Sequence, residues 1–173
     1  MLNDKAASDP MSRLHLGYVP EWVEFPVKQT AEFILNFHRQ LLGLDIWDKQ
    51  SLESYLKSWG VEDFQKRLGL WSKGMRQRLA LAICAVGNPR VIILDEPNTG
   101  LDPIGIALLG NKLQEWKTKG CSILLSSHRL AEVFLVADRI LVLNNGKIIS
   151  SKIQKDFGNY SDLESWFLKS VGL

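Results

Sequence analysis

The chain has 173 residues, 46% of them apolar, which is enough for one globular domain with a substantial core. The net charge is +2 and both signs are mixed along the chain, so electrostatics give no support for a nucleic-acid-binding or anionic-membrane-binding class. The first ten residues, MLNDKAASDP, include acids and no apolar core, which argues against a signal peptide, and no apolar run approaches the roughly 18 residues of a spanning helix.

Three helices are predicted in the first half of the chain from apolar residues spaced three and four apart. Each is followed by a glycine, which commonly ends a helix because it tolerates positive φ. The ranges and their glycines are 27–42 with Gly43, 49–59 with Gly60, and a helix beginning near Ser72 that ends at Gly87.

Beyond Pro89, short apolar runs predict strands. VIIL at Val91 and CSILLSS at Cys121 flank a helical pattern that ends at Gly120, so they predict a strand, helix, strand unit with buried parallel strands. RILVL at Arg139 and KIIS at Lys147 meet at NNG, which is typical of a hairpin turn.

The remaining local predictions concern the tail and the cysteines. The tail from Ser161 to Leu168 is predicted to be helical, with Ser161 as its N-cap. Cys84 and Cys121 lack the paired spacing of metal sites, so we expect reduced, buried thiols.

Several polar residues stand where chemistry is expected. Asp95 and Glu96 follow a buried strand, where a first acid can hold Mg²⁺ through water and a second can orient or deprotonate water; the alternative is two acids that cap a turn. His128 closes the next strand, as a ligand contact or an ordinary polar terminus. Ser72 and Gly74 open a helix whose N–H groups attract phosphate, although an N-cap alone would explain Ser72.

Five motifs occur in a fixed order: GYVPE (17–21), WSKGM (71–75), VIILDE (91–96), NTGLD (98–102) and SSH (126–128). They resemble, respectively, the Q-loop, signature motif, Walker B, D-loop and switch histidine of the ATP-binding subunit of an ABC transporter. Each motif alone is weak, but the ordered set is specific and covers almost the whole chain.

The resemblance implies an α/β, partial P-loop NTPase fold of the ABC type, with a mainly parallel sheet core and an inserted helical subdomain. It implies a single truncated domain, 1–173. Its parts would be the edge of the core and Q-loop (1–21), the helical subdomain (22–71), the core with the remaining motifs (72–151) and a C-terminal helix (152–173).

The resemblance also assigns roles. Asp95 would help to position Mg²⁺, Glu96 would polarise water, and His128 would contact the γ-phosphate. Ser72 and Gly74 would contact ATP held by the other subunit. The remaining two positions are Asp102, which would work across the dimer interface, and Glu21, at the Q-loop position.

Two positions depart from the commonest family pattern. Glu21 stands where most members have Gln, and WSKGM replaces LSGGQ. Both variants resemble the ABC-2-type exporter branch. They leave the role of Glu21 open, because a carboxylate near phosphates repels where an amide would not.

The resemblance further implies ATP and Mg²⁺ as cofactors, a second ABC ATPase subunit and membrane-spanning permease subunits as partners, no nucleic acid, and a cytoplasmic place at the inner face of the membrane. A soluble ABC protein of DNA repair or translation is the alternative. Repair-type members carry a long coiled coil between Q-loop and signature, whereas only short helices are predicted here.

No phosphate-binding G-x-x-x-x-G-K-[ST] motif occurs, since Lys precedes Ser or Thr only at Lys57, Lys117 and Lys169, none with the required glycines. We therefore expect a chain truncated before the Q-loop and inactive alone as an ATPase. It could be a fragment, a partner of a complete subunit, or a regulatory remnant. Without a further strand, VIIL and CSILL are expected to present an unpaired edge.

Overall fold

The computed structural model describes residues 14–173. They form two compact units, one extending to Ser126 and one comprising Ser127–Leu173. The first contains a three-stranded parallel sheet, in which β2 lies between β1 and β3. The strands are β1 (Leu16–Val19), β2 (Val91–Asp95) and β3 (Ser122–Ser126).

Strand β1 was not predicted, because four residues that include a glycine show no recognisable period. It pairs with β2 from Leu16 opposite Val91 to Val19 opposite Leu94. The expectation that the VIIL run would present an unpaired edge is therefore wrong, since β2 has a strand on both sides.

Three helices connect β1 to β2, and the first two lie within the helical insertion that was predicted for residues 22–71. They are α1 (Ala31–Leu41), α2 (Lys49–Lys57) and α3 (Lys73–Ala85), with a 3₁₀ turn at Leu68–Leu70. Gly43 and Gly60 follow the first two with positive φ, as expected. The predicted start at Val27 is wrong: Thr30 Oγ1 accepts the Phe33 N–H at 3.3 Å and caps the helix there.

Helix α4 (Pro103–Thr118) connects β2 to β3. Its N-cap is Asp102 and Pro103 occupies the first turn, where a missing N–H has no cost. The predicted apolar stripe is confirmed, because Leu109, Leu113 and Trp116 are buried. Cys84 and Cys121 are free thiols, but Cys121 is only partly buried, contrary to the expectation for both.

The second unit contains α5 (Leu130–Val136), β4 (Arg139–Asn144), β5 (Lys147–Ile153), a 3₁₀ turn at Gln154–Asp156 and α6 (Tyr160–Val171). The predicted hairpin is confirmed: β4 and β5 are antiparallel, and Asn145 and Gly146 both have positive φ. Ile140, Phe157 and Leu163 form the core of this unit.

The predicted N-cap of the last helix is wrong. Asn159, not Ser161, caps α6: its side chain accepts the Asp162 N–H, and the Asp162 side chain accepts the Asn159 N–H in return. Among residues 14–173, no helix is long and apolar enough to cross a membrane.

Candidate nucleotide-binding site

Ser126 joins the two acids at the carboxyl edge of the sheet. It lies opposite Asp95 in the parallel register between β2 and β3. Its hydroxyl donates to Asp95 Oδ1 and accepts the Glu96 backbone N–H at 3.0 Å. The sequence placed Asp95 and Glu96 at this edge, and the structure adds the serine that connects them.

Glu96 has an unusual backbone conformation, with φ of +44°. A non-glycine residue in this region costs on the order of 1 kcal/mol and persists where its surroundings fix it. The bond to Ser126 holds its N–H, and its carbonyl accepts the Thr99 N–H at 3.0 Å. Glu96 is therefore a half-buried carboxylate on a backbone fixed from both sides.

Ser72 and Gly74 lie in and before the first turn of α3. Ser72 is exposed, and its Oγ accepts the Met75 N–H at 3.2 Å, so it is an N-cap. That bond does not explain Gly74. A Cβ at Gly74 would lie 2.6 Å from the carbonyl oxygen of Gly100, so only glycine permits this contact.

The beginning of α3 is positively charged. Its first turn contains no acid, while Lys73 and Arg76 follow Ser72. Lys73 Nζ lies 4.4 Å from the centre of the Trp22 ring, a cation–π contact. Because Trp22 follows Glu21, this contact joins the Q-loop motif to the signature motif.

Asp102 begins α4 and also bonds to α3. Its Oδ1 accepts the Gly105 N–H at 2.8 Å and forms an ion pair with Arg78 Nη2. The Gly105 N–H, and after it the Arg78 guanidinium, hold the pKa of Asp102 below its usual range. One carboxylate oxygen of this residue is thus engaged within its own chain.

His128 belongs to the second unit, between β3 and α5. Next to it, Ser127 Oγ accepts the Arg129 N–H at 3.1 Å. Asp95 and Glu96 belong to the first unit, and the expected approach of His128 to them stays a prediction.

Sequence reasoning missed three side chains at this site: Gln77, Arg78 and Ser126. Gln77 Nε2 donates to the carbonyl oxygen of Pro97, the residue after Glu96, at 3.0 Å. Gln77 could have been recognised from the sequence, because it is a polar residue within the buried stretch of a helix. Ser126 lay within the SSH motif but has no distinctive pattern of its own.

The oxygen atoms of the side chains at the carboxyl edge of the sheet are suitable ligands for a hydrated Mg²⁺. Within the described residues, no cluster of three or more His, Cys, Asp or Glu could hold a metal. Mg²⁺ needs no such cluster, because it commonly binds through one or two carboxylates and keeps several waters. Asp95 and the adjacent Ser126 hydroxyl offer oxygen ligands of that kind.

The sheet with acids at its carboxyl edge and the serine-capped helix beside it define the class of protein. A family model described as ABC transporter matches residues 2–99, more than half of the chain. The chain therefore belongs to the ABC transporter ATP-binding family. The fold class agrees, since solved ATP-binding subunits share it.

Two curated relatives illustrate the likeness. The chain is 37% identical over 158 residues to the uncharacterized ABC transporter ATP-binding protein YhcH of Bacillus subtilis, covering 90% of this chain and 50% of the relative. It is 41% identical over 113 residues to the lantibiotic transport ATP-binding protein SrtF of Streptococcus pyogenes, covering 65% and 48%. The chain thus spans about half the length of these relatives.

Two solved structures share the fold. One is an ATP binding subunit of an ABC transporter, with a TM-score of 0.78 and 26% identity, covering 91% of this chain and 70% of that one. The other is a dimeric ATP-binding cassette in a post-hydrolysis state with ADP and Pi, with a TM-score of 0.73. At 19% identity, the second supports the fold alone.

Proposed function

We propose that the chain is an ATP-binding subunit that helps to power an ABC transporter, and that Ser72 and Gly74 bind the γ-phosphate of ATP held by a second subunit. The observation that carries this proposal is the exposed start of α3, where Ser72 is the N-cap and Lys73 and Arg76 follow. Backbone N–H groups, the helix dipole and these cations all favour an anion there.

A second group of residues would act on ATP held by the same subunit. Asp95 would bind a hydrated Mg²⁺, and the bound ion would neutralise negative charge on the phosphates of ATP. Glu96 would accept a proton from, or orient, the attacking water, and His128 would donate to the γ-phosphate. The fixed backbone of Glu96 supports this role, because a general base works only when its carboxylate is held in a defined direction.

The two groups differ in what they require. Residues of the second group need a phosphate-binding loop to deliver ATP, and the 173 residues contain no such motif. The first group needs only ATP held elsewhere. We therefore propose that the chain works in an assembly, with a complete ATP-binding subunit and membrane-spanning permeases at the cytoplasmic face.

The helical insertion favours transport over the DNA-repair alternative. Between the Q-loop and signature motifs the structure has two helices, α1 of 11 residues and α2 of 9 residues. Helices of this length form a compact subdomain and not a long coiled coil.

The two groups predict opposite responses to mutation. The tagged chain is expressed in its host, and a complete ATP-binding subunit recovered with it is used to form the mixed dimer. Ser72→Arg should abolish steady-state ATP hydrolysis, because the larger side chain would occupy the place of the γ-phosphate. Glu96→Gln should change the rate little, although loss of a working general base typically costs about 10² to 10⁴.

Ser161→Arg is the matched control, since Ser161 is also an exposed serine near the start of a helix, α6. It should leave hydrolysis unchanged. The proposal would be contradicted if Ser72→Arg left the rate of ATP hydrolysis unchanged or if Glu96→Gln lowered it strongly. Failure to recover any complete subunit with the tagged chain would also contradict it.

A further inference from the structure

The loop between β2 and α4 is held on α3 at both of its ends. We define this loop, residues 97–102, as the connecting loop. At its start, the Pro97 carbonyl oxygen accepts the Gln77 Nε2–H at 3.0 Å. At its end, Asp102 forms the ion pair with Arg78. Two consecutive residues of the helix therefore contact the first and last residues of the loop.

Gln77 is 1% exposed, and among residues 14–173 it is the only polar or charged side chain in the buried class. A buried amide without a hydrogen bond costs on the order of 1–3 kcal/mol, whereas an apolar side chain of similar size would pack there without that cost. Packing of the core alone therefore does not account for a glutamine. The bond to Pro97 does.

Arg78 contacts two separate segments at once. While Nη2 bonds to Asp102, Nη1 donates to the Gly60 carbonyl oxygen at 2.9 Å. The planar guanidinium presents several donors in a fixed fork, which lysine cannot reproduce. Arg78 therefore fixes the loop relative to the end of α2 as well as to its own helix.

The middle of the connecting loop lies directly on the first turn of α3. Gly100 has φ of +83°, and its carbonyl oxygen occupies the space that a Cβ at Gly74 would need. On the other side, a Cβ at Gly100 would lie 2.8 Å from Lys73 Cγ. Loop and helix are thus in close contact, because a side chain at either glycine would collide with the other segment.

We propose that Gln77 and Arg78 are positioning residues, which hold the connecting loop against the first turns of α3 and so keep Ser72 and Gly74 in place for ATP held by the second subunit. This inference rests on the proposed function, in which Ser72 and Gly74 face ATP held by the second subunit. It adds that contacts within this chain, from α3 to the connecting loop, hold the first group of site residues in position. These contacts are the Gln77–Pro97 and Arg78–Asp102 bonds.

The mixed dimer tests this inference through Gln77→Met, which keeps the volume and removes the donor, and Arg78→Lys, which removes the fork. Each should lower kcat, on the order of 10- to 100-fold, since a small misplacement of binding groups has effects of that size. KM for ATP should change by less than about twofold, because the second subunit's phosphate loop sets most of the ground-state affinity. A merely structural role would instead lower the amount of folded dimer and leave kcat per folded dimer unchanged.

Gln114→Met is the control, as Gln114 is exposed and lies near the C-terminal end of α4, whereas the connecting loop precedes the N-terminal end of that helix. If Ser72→Arg silences the dimer while Gln77→Met and Arg78→Lys keep the wild-type kcat, this inference is wrong and the proposed function stands. If Ser72→Arg is itself silent, the proposed function fails. Should Gln77→Met not fold, a normal kcat in Arg78→Lys overturns the inference by itself.

Discussion

Asp102 shows how one carboxylate can have two roles within its own chain. It caps α4 through the Gly105 N–H and pairs with Arg78, and both contacts favour its ionised form, which lowers its pKa. A carboxylate whose pKa is depressed in the folded state stabilises the fold above the pKa of the unfolded chain. That contribution is lost as pH falls through the folded value.

Asp102→Asn is therefore expected to lower the urea midpoint at pH 7 and to matter progressively less below about pH 4, the ordinary pKa of aspartate. Asparagine keeps an oxygen that can cap the helix, so the difference reports the carboxylate charge, which the Gly105 N–H and Arg78 both stabilise. Urea unfolding at several pH values measures it, with Asp45→Asn, which alters no helix cap, as the control. A difference between wild type and Asp102→Asn that stays constant down to acid pH would exclude the ion pair as its source.

At the level of elements, the sequence predicted the features that depend only on neighbouring residues, such as the ends of helices. The glycines after α1 and α2 were predicted because positive φ is a property of the residue itself. Strand β1 was missed because it exists only through pairing with β2, far along the chain. The start of α6 was misplaced because Ser161 is a common cap, while the reciprocal pair of Asn159 and Asp162 was overlooked.

The cap of α6 can be tested by a pair of substitutions. Asn159→Ala should destabilise the protein by about 1 kcal/mol, since it leaves an N–H of the first turn without its acceptor. Ser161→Ala should have a much smaller effect, because Ser161 lies inside the helix and is exposed. Chemical denaturation of both variants decides between the two caps. Equal losses would restore Ser161 as a cap.

At the level of the whole molecule, residue positions were predictable where a single strand determines them. Asp95 and Glu96 were placed at the sheet edge from the end of a single strand. The side-chain hydrogen bonds at this edge were not predicted, because Gln77 bonds to Pro97 and Ser126 bonds to Glu96 across 20 and 30 residues of sequence. Contacts of that separation depend on the finished fold and leave no local period.

The 173-residue chain alone should not bind Mg-ATP tightly, since it contains neither the lysine nor the successive loop N–H groups that hold the β- and γ-phosphates. Calorimetric titration of the purified chain measures this, and the mixed dimer serves as the positive control. A micromolar dissociation constant for the chain alone would show that another segment holds the phosphates.

The order of strands in the parallel sheet also has a consequence for synthesis on the ribosome. Strand β1 is made before its hydrogen-bonding partner β2, which ends only at Asp95, after the three helices that connect the two strands. Helices form from local contacts, while a parallel pair must first close the long chain between its strands. Translation therefore leaves β1 without β2 while α1 to α3 are being made, so this pair of strands forms late.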